Sequence, residues 1–337
     1  MFLLVNSNKM FFFFILIFST FISISSNSWF GCWIGLEINL ISFIPLINNC
    51  NNILSSEASL KYFLTQSIAS INLLFYIIIK MILMKNFEMN YFLSIMINSS
   101  LLMKMGSAPF HYWFPNIVEG LSWFNNFILM SWQKITPIIL LSYYFNKNFI
   151  IIIIIMNSIV GAMGGLAQTS LRKLLAFSSI NNLSWMISSM MLSENLWIFY
   201  FLMYSFLIMI MCYLFYCTNM FFINQLFFCN INYMIKLSLL INLLSLGGLP
   251  PFLGFFPKWI IINFLMLNNL IFLTFILIFM SLIMLFFYIR IIYSSFMFNY
   301  LKLKWMKIFI KNKLMMYINL LSMISILGLI LNTLFFL

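Results

Sequence analysis

The sequence predicts an all-α polytopic membrane protein with about eleven transmembrane helices, and three observations carry that reading. Of 337 residues, 64% are hydrophobic and only 7% are charged, whereas a soluble domain carries about a quarter charged residues. Apolar runs long enough to cross a bilayer, roughly 20 residues each, follow one another along the chain. The Lys and Arg residues between those runs fall almost entirely on one side. Seventeen Lys plus Arg and five Glu cannot coat a globule of this size. A soluble enzyme, a disordered chain and a secreted disulfide scaffold are therefore excluded.

The expected spans are 10–29, 30–47, 60–82, 91–114, 122–145, 148–166, 174–192, 195–217, 238–266, 270–295 and 315–336. All should be helices, because lipid offers no partner to an unpaired backbone group. The first run, behind Lys9, has the outline of a signal peptide; with no soluble domain after it, a retained helix is the expectation. The first two spans are joined almost without a loop. Eleven spans place Lys9, Lys61, Arg172, Lys173, Lys236, Lys302, Lys304, Lys307, Lys311 and Lys313 on the N-terminal side and only Lys85 and Lys147 opposite. Basic loops face the negative compartment, so the N-terminus is expected in the matrix or cytosol and the C-terminus across the membrane.

That asymmetry accounts for the net charge of +12 without nucleic acid, and the basic stretch 302–313 reads as an anchored juxtamembrane loop. The acids are all Glu, with no Asp. Ile, Phe, Met and Asn, residues of A/T-rich codons, are abundant as in a small organelle genome. Five cysteines (Cys32, Cys50, Cys212, Cys217, Cys229) form no C-x-x-C and stand beside a single His. They read as apolar thiols packed among helices, and no metal, haem or iron–sulfur ligand set is expected.

Glu37, Lys104, Lys134 and Lys258 fall inside spans or at breaks in them. A charge at mid-bilayer costs about 2.5–3.5 kcal/mol even on insertion scales, so it has a partner or a task. Lys80 and Arg290 lie nearer span ends and can snorkel. For the other four, ion-pair glue between helices is the structural alternative to a proton relay. A buried ionisable group suits a relay because one charge arriving beside it changes its proton occupancy.

Two spans are interrupted. The fourth carries Lys104-Met105-Gly106-Ser107-Ala108-Pro109 and then His111 to Pro115; the ninth carries Ser245-Leu246-Gly247-Gly248-Leu249-Pro250-Pro251 through Gly254. Gly and Pro in such segments free backbone groups, which are tolerated at membrane depth only against protein or a water-filled cavity. Taking spans 1–5 and 6–10 as units (1–147 and 148–296, with 297–337 as a basic loop and final helix), each break falls in the fourth helix of its unit. Five is odd, so the second unit is expected to be inverted. Broken helices at equivalent places in inverted repeats point to a transporter-type ion site. His111, seven residues after Lys104, is either a further relay member or a packing histidine.

At these residues the chain resembles a known family. Gly35-Leu36-Glu37-Ile38-Asn39, the stretch from Lys104 to Pro115, Ser131-Trp132-Gln133-Lys134, the run Gln168 to Ile180, and Gly247 through Lys258-Trp259 are similar to the antiporter-like membrane subunits of NADH–ubiquinone oxidoreductase (respiratory complex I). Among these, the pattern resembles the mitochondrially encoded chain 2 family in its animal form, over nearly the whole chain and in order. The resemblance implies that Glu37 is the acidic member of a Glu–Lys pair with Lys104, that Lys134 bridges a central hydrophilic axis, and that Lys258 is an exit-side lysine. The chain is expected to retain few other buried polar groups, so Asn, Ser and Tyr side chains or waters would have to complete the wire.

The resemblance further implies a core subunit of the membrane arm, in the mitochondrial inner membrane among other membrane-arm and accessory subunits. Its N-terminus would lie in the matrix and its C-terminus in the intermembrane space. Protons would pass along the Glu and Lys groups, while NADH oxidation and quinone reduction proceed elsewhere. FMN, iron–sulfur clusters and quinone are expected in other subunits, with no cofactor in this chain. It carries no dinucleotide fingerprint or phosphate loop. Cardiolipin is an expected lipid partner near the basic loops. Two other readings share the features: a free-standing cation/proton antiporter, and a structural membrane scaffold whose buried charges serve as glue. Against the first, Glu37 is the one intramembrane acid, too few carboxylates for a sodium site.

Overall fold

The computed structural model describes residues 7–49, 52–82, 87–228, 233–297 and 312–326. Among these, fifteen α-helices follow in order: α1 (Ser7–Ser25), α2 (Trp29–Ile47), α3 (Ile53–Ile82), α4 (Phe87–Met105), α5 (Trp113–Gly120), α6 (Trp123–Met130), α7 (Trp132–Ser142), α8 (Lys147–Leu166), α9 (Leu171–Leu192), α10 (Glu194–Thr218), α11 (Ile223–Phe228), α12 (Tyr233–Gly247), α13 (Phe255–Leu267), α14 (Ile271–Met297) and α15 (Asn312–Ile326). Six of them, α1, α2, α3, α8, α10 and α14, are long and apolar enough to cross a membrane as single pieces. The fourth, fifth and ninth expected spans are each built from two helices: α4 with α5, α6 with α7, and α12 with α13. Cys50, Lys85, Cys229, residues 302–311 of the basic stretch and residues 327–336 of the last span lie outside the described residues. Cys32, Cys212 and Cys217 are free thiols.

Local chemistry explains the helix ends. Ser28 caps α2 by accepting from the Gly31 amide at 3.2 Å, and Ser193 caps α10 by accepting from Leu196 at 3.3 Å, the usual use of a hydroxyl at a helix N-terminus. Asn219 ends α10 in the left-handed region at φ 52°, which Asn tolerates.

The chain divides into two compact units, residues 1–153 and 154–337. In the first, α1 and α2 touch through small residues: a Cβ on Gly35 would stand 2.7 Å from the Ser23 backbone nitrogen. Lipid lends no hydrophobic drive to helix pairing, so such close backbone approach is what holds neighbours together. In the second, Gly161 of α8 lets the backbone of Asn181 on α9 approach to within 2.5 Å of where a Cβ would stand.

Helix α9 corrects one expectation and explains another. Ordinary buried polar side chains, expected to be scarce, run along it: Ser178, Ser179, Asn181, Asn182, Ser184, Ser188 and Ser189 are all buried. Arg172 and Lys173, expected in a loop, lie in its first turn. Lys236, expected in a loop as well, is buried in the first turn of α12. Serine hydroxyls back-bonded to the preceding turn explain how so polar a helix is buried, as Ser179 is to Ala176 at 2.7 Å and Ser184 to Asn181 at 2.6 Å.

Candidate functional site

Both long interruptions end the same way. In α4, the Gly106 amide donates to Met103 at 3.2 Å and the Ser107 amide to Leu102 at 3.1 Å, with Gly106 at φ +69°. In α12, the Gly248 amide donates to Ser245 at 3.1 Å and the Leu249 amide to Leu244 at 3.3 Å, with Gly248 at φ +84°. Each is a Schellman motif, which needs a left-handed residue just past the helix. Glycine supplies it without a Cβ penalty.

A Schellman motif satisfies only some terminal carbonyls, and the others mark the site. At the first break the Lys104 carbonyl accepts from Gln66 Nε2 at 3.1 Å, and the Met103 carbonyl, already paired with the Gly106 amide, accepts a second bond from the Trp113 indole at 3.1 Å. At the second break the Gly247 carbonyl accepts from Lys258 Nζ at 3.0 Å. A cation at a helix C-terminus is favoured by the aligned peptide dipoles, so the second break holds its lysine directly.

In the first unit, Lys104 and Lys134 line one internal cavity with Asn39, Tyr62, Gln66, Gln133 and Thr136, backed by Trp113 and Phe114. It offers about 20 Å³ to the centre of a water-sized sphere, where roughly 10–15 Å³ suffices for one water. Lys134 is 1% exposed, and its Nζ lies 5.2 Å from the centre of the Phe114 ring. Gln133 Nε2 donates to Asn39 Oδ1 at 2.8 Å, and the Tyr62 hydroxyl donates to Gln133 Oε1 at 3.4 Å. These bonds tie α2, α3 and α7 together along the cavity wall. The chain is broken again at Ser131, between α6 and α7, where the Ser131 hydroxyl donates to the Phe127 carbonyl at 2.6 Å. Three residues later, Lys134 enters the cavity from the first turn of α7.

Glu37 lies one residue from the cavity-lining Leu36 on α2. It is near enough to attract the Lys104 ammonium, but no direct ion pair forms, and Glu37 Oε1 is buried without a hydrogen-bond partner. The two charges therefore act on each other through space. His111 sits in the break, with its ring against Tyr112 at 4.2 Å and its Nδ1 3.3 Å from the Pro109 carbonyl oxygen. It does not line the cavity that Lys104 and Lys134 share.

In the second unit, Lys258 lines a smaller cavity with Asn182, Tyr200 and Tyr204, about 10 Å³ by the same measure. The Tyr200 hydroxyl donates to Asn182 Oδ1 at 3.0 Å. Lys258 Nζ also lies 5.9 Å from the Trp185 ring. The loop of the second break is braced by α15, whose Ser325 carbonyl accepts from the Leu253 amide at 3.0 Å.

Sequence reasoning singled out the lysines but not their amide and phenol neighbours. Asn39 and Gln133 stand inside motifs it quoted, two residues from Glu37 and one from Lys134. Tyr62 and Gln66 are spaced i, i+4 and so share one face of α3, but Ser59, Thr65, Ser67 and Ser70 on the same helix leave that spacing no distinct signal.

A buried amine and an ammonium differ by one proton, and in a cavity with few other charges the occupancy of one governs the next. Two such lysines facing a water-sized space between polar walls form a geometry for holding and passing protons. Comparison with known proteins bears on what that geometry serves. Residues 26–284 match the family model described as NADH:quinone oxidoreductase/Mrp antiporter, transmembrane. The chain is 53% identical over 295 residues to the NADH-ubiquinone oxidoreductase chain 2 of Anopheles gambiae, covering 86% of each chain. It is 52% identical over 332 residues to that of Aedes aegypti, covering 97% of each. Its fold is similar to a chain of respiratory complex I from Thermus thermophilus, with a TM-score of 0.84 at 17% identity, over 98% of this chain and 80% of that one.

Proposed function

The chain belongs to the NADH:quinone oxidoreductase/Mrp antiporter transmembrane family, and on that premise we propose that Glu37, Lys104, Lys134 and Lys258 are the groups through which it moves protons. It is a chain 2-type, antiporter-like core subunit of the membrane arm of NADH:ubiquinone oxidoreductase. In this reading, electron transfer and its cofactors (FMN, iron–sulfur clusters and quinone) belong to other subunits of the complex. The chain crosses the mitochondrial inner membrane with its N-terminus on the matrix side and its C-terminus in the intermembrane space. Cardiolipin binds at its basic loops.

The shared cavity of Lys104 and Lys134 carries the proposal. Because Glu37 attracts Lys104 without a direct pair, a charge or displacement reaching Glu37 changes the proton affinity of Lys104 at once. Moving one charge against 100 mV needs about 2.3 kcal/mol, equivalent to about a fiftyfold change in proton affinity. Modest repositioning of one carboxylate in a low-dielectric setting supplies that. His111 does not line that cavity and is assigned no step here.

The test is Lys104→Met in the assembled complex, which preserves length and removes the titrating group. A lower proton-to-electron ratio at retained NADH oxidation is expected. A full ratio refutes the relay and leaves the lysines as structural glue.

A further inference from the structure

Serine and threonine hydroxyls buried in these helices follow one habit. Thr20 donates to Ile17 at 2.7 Å, Ser100 to Ile97 at 2.7 Å, Ser188 to Trp185 at 2.9 Å and Thr218 to Leu214 at 2.9 Å. Each hydroxyl spends its proton on a carbonyl three or four residues back, the ordinary way to satisfy a helical hydroxyl in an apolar setting.

Thr136 departs from it. It is 1% exposed, its Oγ1 has no hydrogen-bond partner among the described residues, and it lines the cavity shared by Lys104 and Lys134. A buried hydroxyl left unmet costs about 1–3 kcal/mol, and a back-bond to its own helix is the usual remedy. The next residue, Pro137, also lines the cavity. It has no N–H to give the Gln133 carbonyl four residues earlier. One turn of α7 thus leaves a hydroxyl without a helical bond and denies a carbonyl its usual donor, beside two lysines and a space large enough for water.

We propose that Thr136 is a positioning residue for proton passage, holding a water between Lys104 and Lys134 through its free hydroxyl. The inference rests on the relay reading above and assigns the part of that relay that is not ionisable. In the step, an N–H bond of one lysine ammonium breaks and its proton joins the water. A different O–H bond of that water breaks as its proton forms an N–H bond on the amine of the other lysine. Water, charge and hydrogen are conserved, and Thr136 neither gains nor loses a proton. Its task is to accept from or donate to the water so that the oxygen's lone pair and O–H point along the two lysines.

Thr136→Val removes the hydroxyl at nearly constant shape, and Thr136→Ser keeps it. Both are measured in the assembled complex reconstituted into liposomes, with proton uptake normalised to the NADH oxidation of the same preparation and compared in H2O and D2O. The expected result is that Thr136→Val lowers proton transport per electron about threefold to tenfold, the rate equivalent of one lost positioned hydrogen bond. It should also change the solvent isotope effect, while Thr136→Ser restores both. If Thr136→Val transports normally with an unchanged isotope effect while Lys104→Met does not, the Thr136 assignment falls and the relay stands. If neither variant changes transport, the relay falls and the Thr136 assignment with it. An equal loss in Thr136→Val and Thr136→Ser also overturns the assignment, because it reports shape and not the hydroxyl.

Discussion

Gly247 and Gly248 are neighbours in one sequence motif, yet the structure assigns them opposite tolerances. Gly248 sits at φ +84°, and a Cβ there would stand 3.0 Å from Lys258 Nζ and 3.1 Å from its Cδ. For Gly247 the nearest atom is Leu285 Cγ at 3.5 Å, an ordinary contact. Gly248→Ala therefore incurs the left-handed penalty, about 1–2 kcal/mol. It also makes the Lys258 side chain give by a few tenths of an ångström and so strains the bond from its Nζ to the Gly247 carbonyl. The second break is destabilised by at least the backbone penalty of about 1–2 kcal/mol. Gly247→Ala should lie within about 1 kcal/mol of the parent, since alanine suits the last position of a helix better than glycine does. The assay is the fraction of chain incorporated into intact complex on native gels, with the thermal denaturation midpoint of that complex. Gly248→Ala should lower both and Gly247→Ala neither. Equal behaviour of the two alanines would refute the assignment of Gly248 to a left-handed cap that Lys258 closes.

Gln133→Leu keeps the volume of the amide but strips Asn39 of its donor and Tyr62 of its acceptor. A loss of about 2–3 kcal/mol is expected from the polar atoms left buried, read as a lower denaturation midpoint of the complex. Lys61→Ala, in contrast, removes an i,i+4 pair with Glu57 at 3.6 Å in which both side chains are 55% exposed. Its effect should stay within about 0.5 kcal/mol, and assembly yield should match the parent.

The fold was legible wherever hydrophobicity alone decides it. Expected spans 30–47, 148–166 and 195–217 agree with Trp29–Ile47, Lys147–Leu166 and Glu194–Thr218 to within one residue at each end. Both long interruptions were legible too, because Gly106 and Gly248 precede prolines in apolar runs. The break at Ser131 was not, since serine is a common helical residue and the discontinuity comes from its backbone at ψ −75°. Helix α3 begins at Ile53, seven residues before the expected span, as Ser55, Ser56 and Ser59 donate to carbonyls of the preceding turn and so enter the helix. Lys236 looked like a loop residue because charge was read as exposure, but in α12 it is buried. Among site residues, buried charge picked out Lys104, Lys134 and Lys258. The amide wall of Asn39, Gln66 and Gln133 required coordinates, because an uncharged polar side chain has no fixed meaning until its partner is known.

The polar interior of α9 bears on how the chain reaches its membrane. Although it is 22 residues long, α9 is not among the helices apolar enough to cross alone. Its five buried serines bond back to their own helix, but the Asn181 and Asn182 amides, entering lipid singly, would meet hydrocarbon. During synthesis α9 must therefore wait at the insertion machinery, or slip in beside α8 and α10, so that the nascent bundle itself provides the solvent this helix requires.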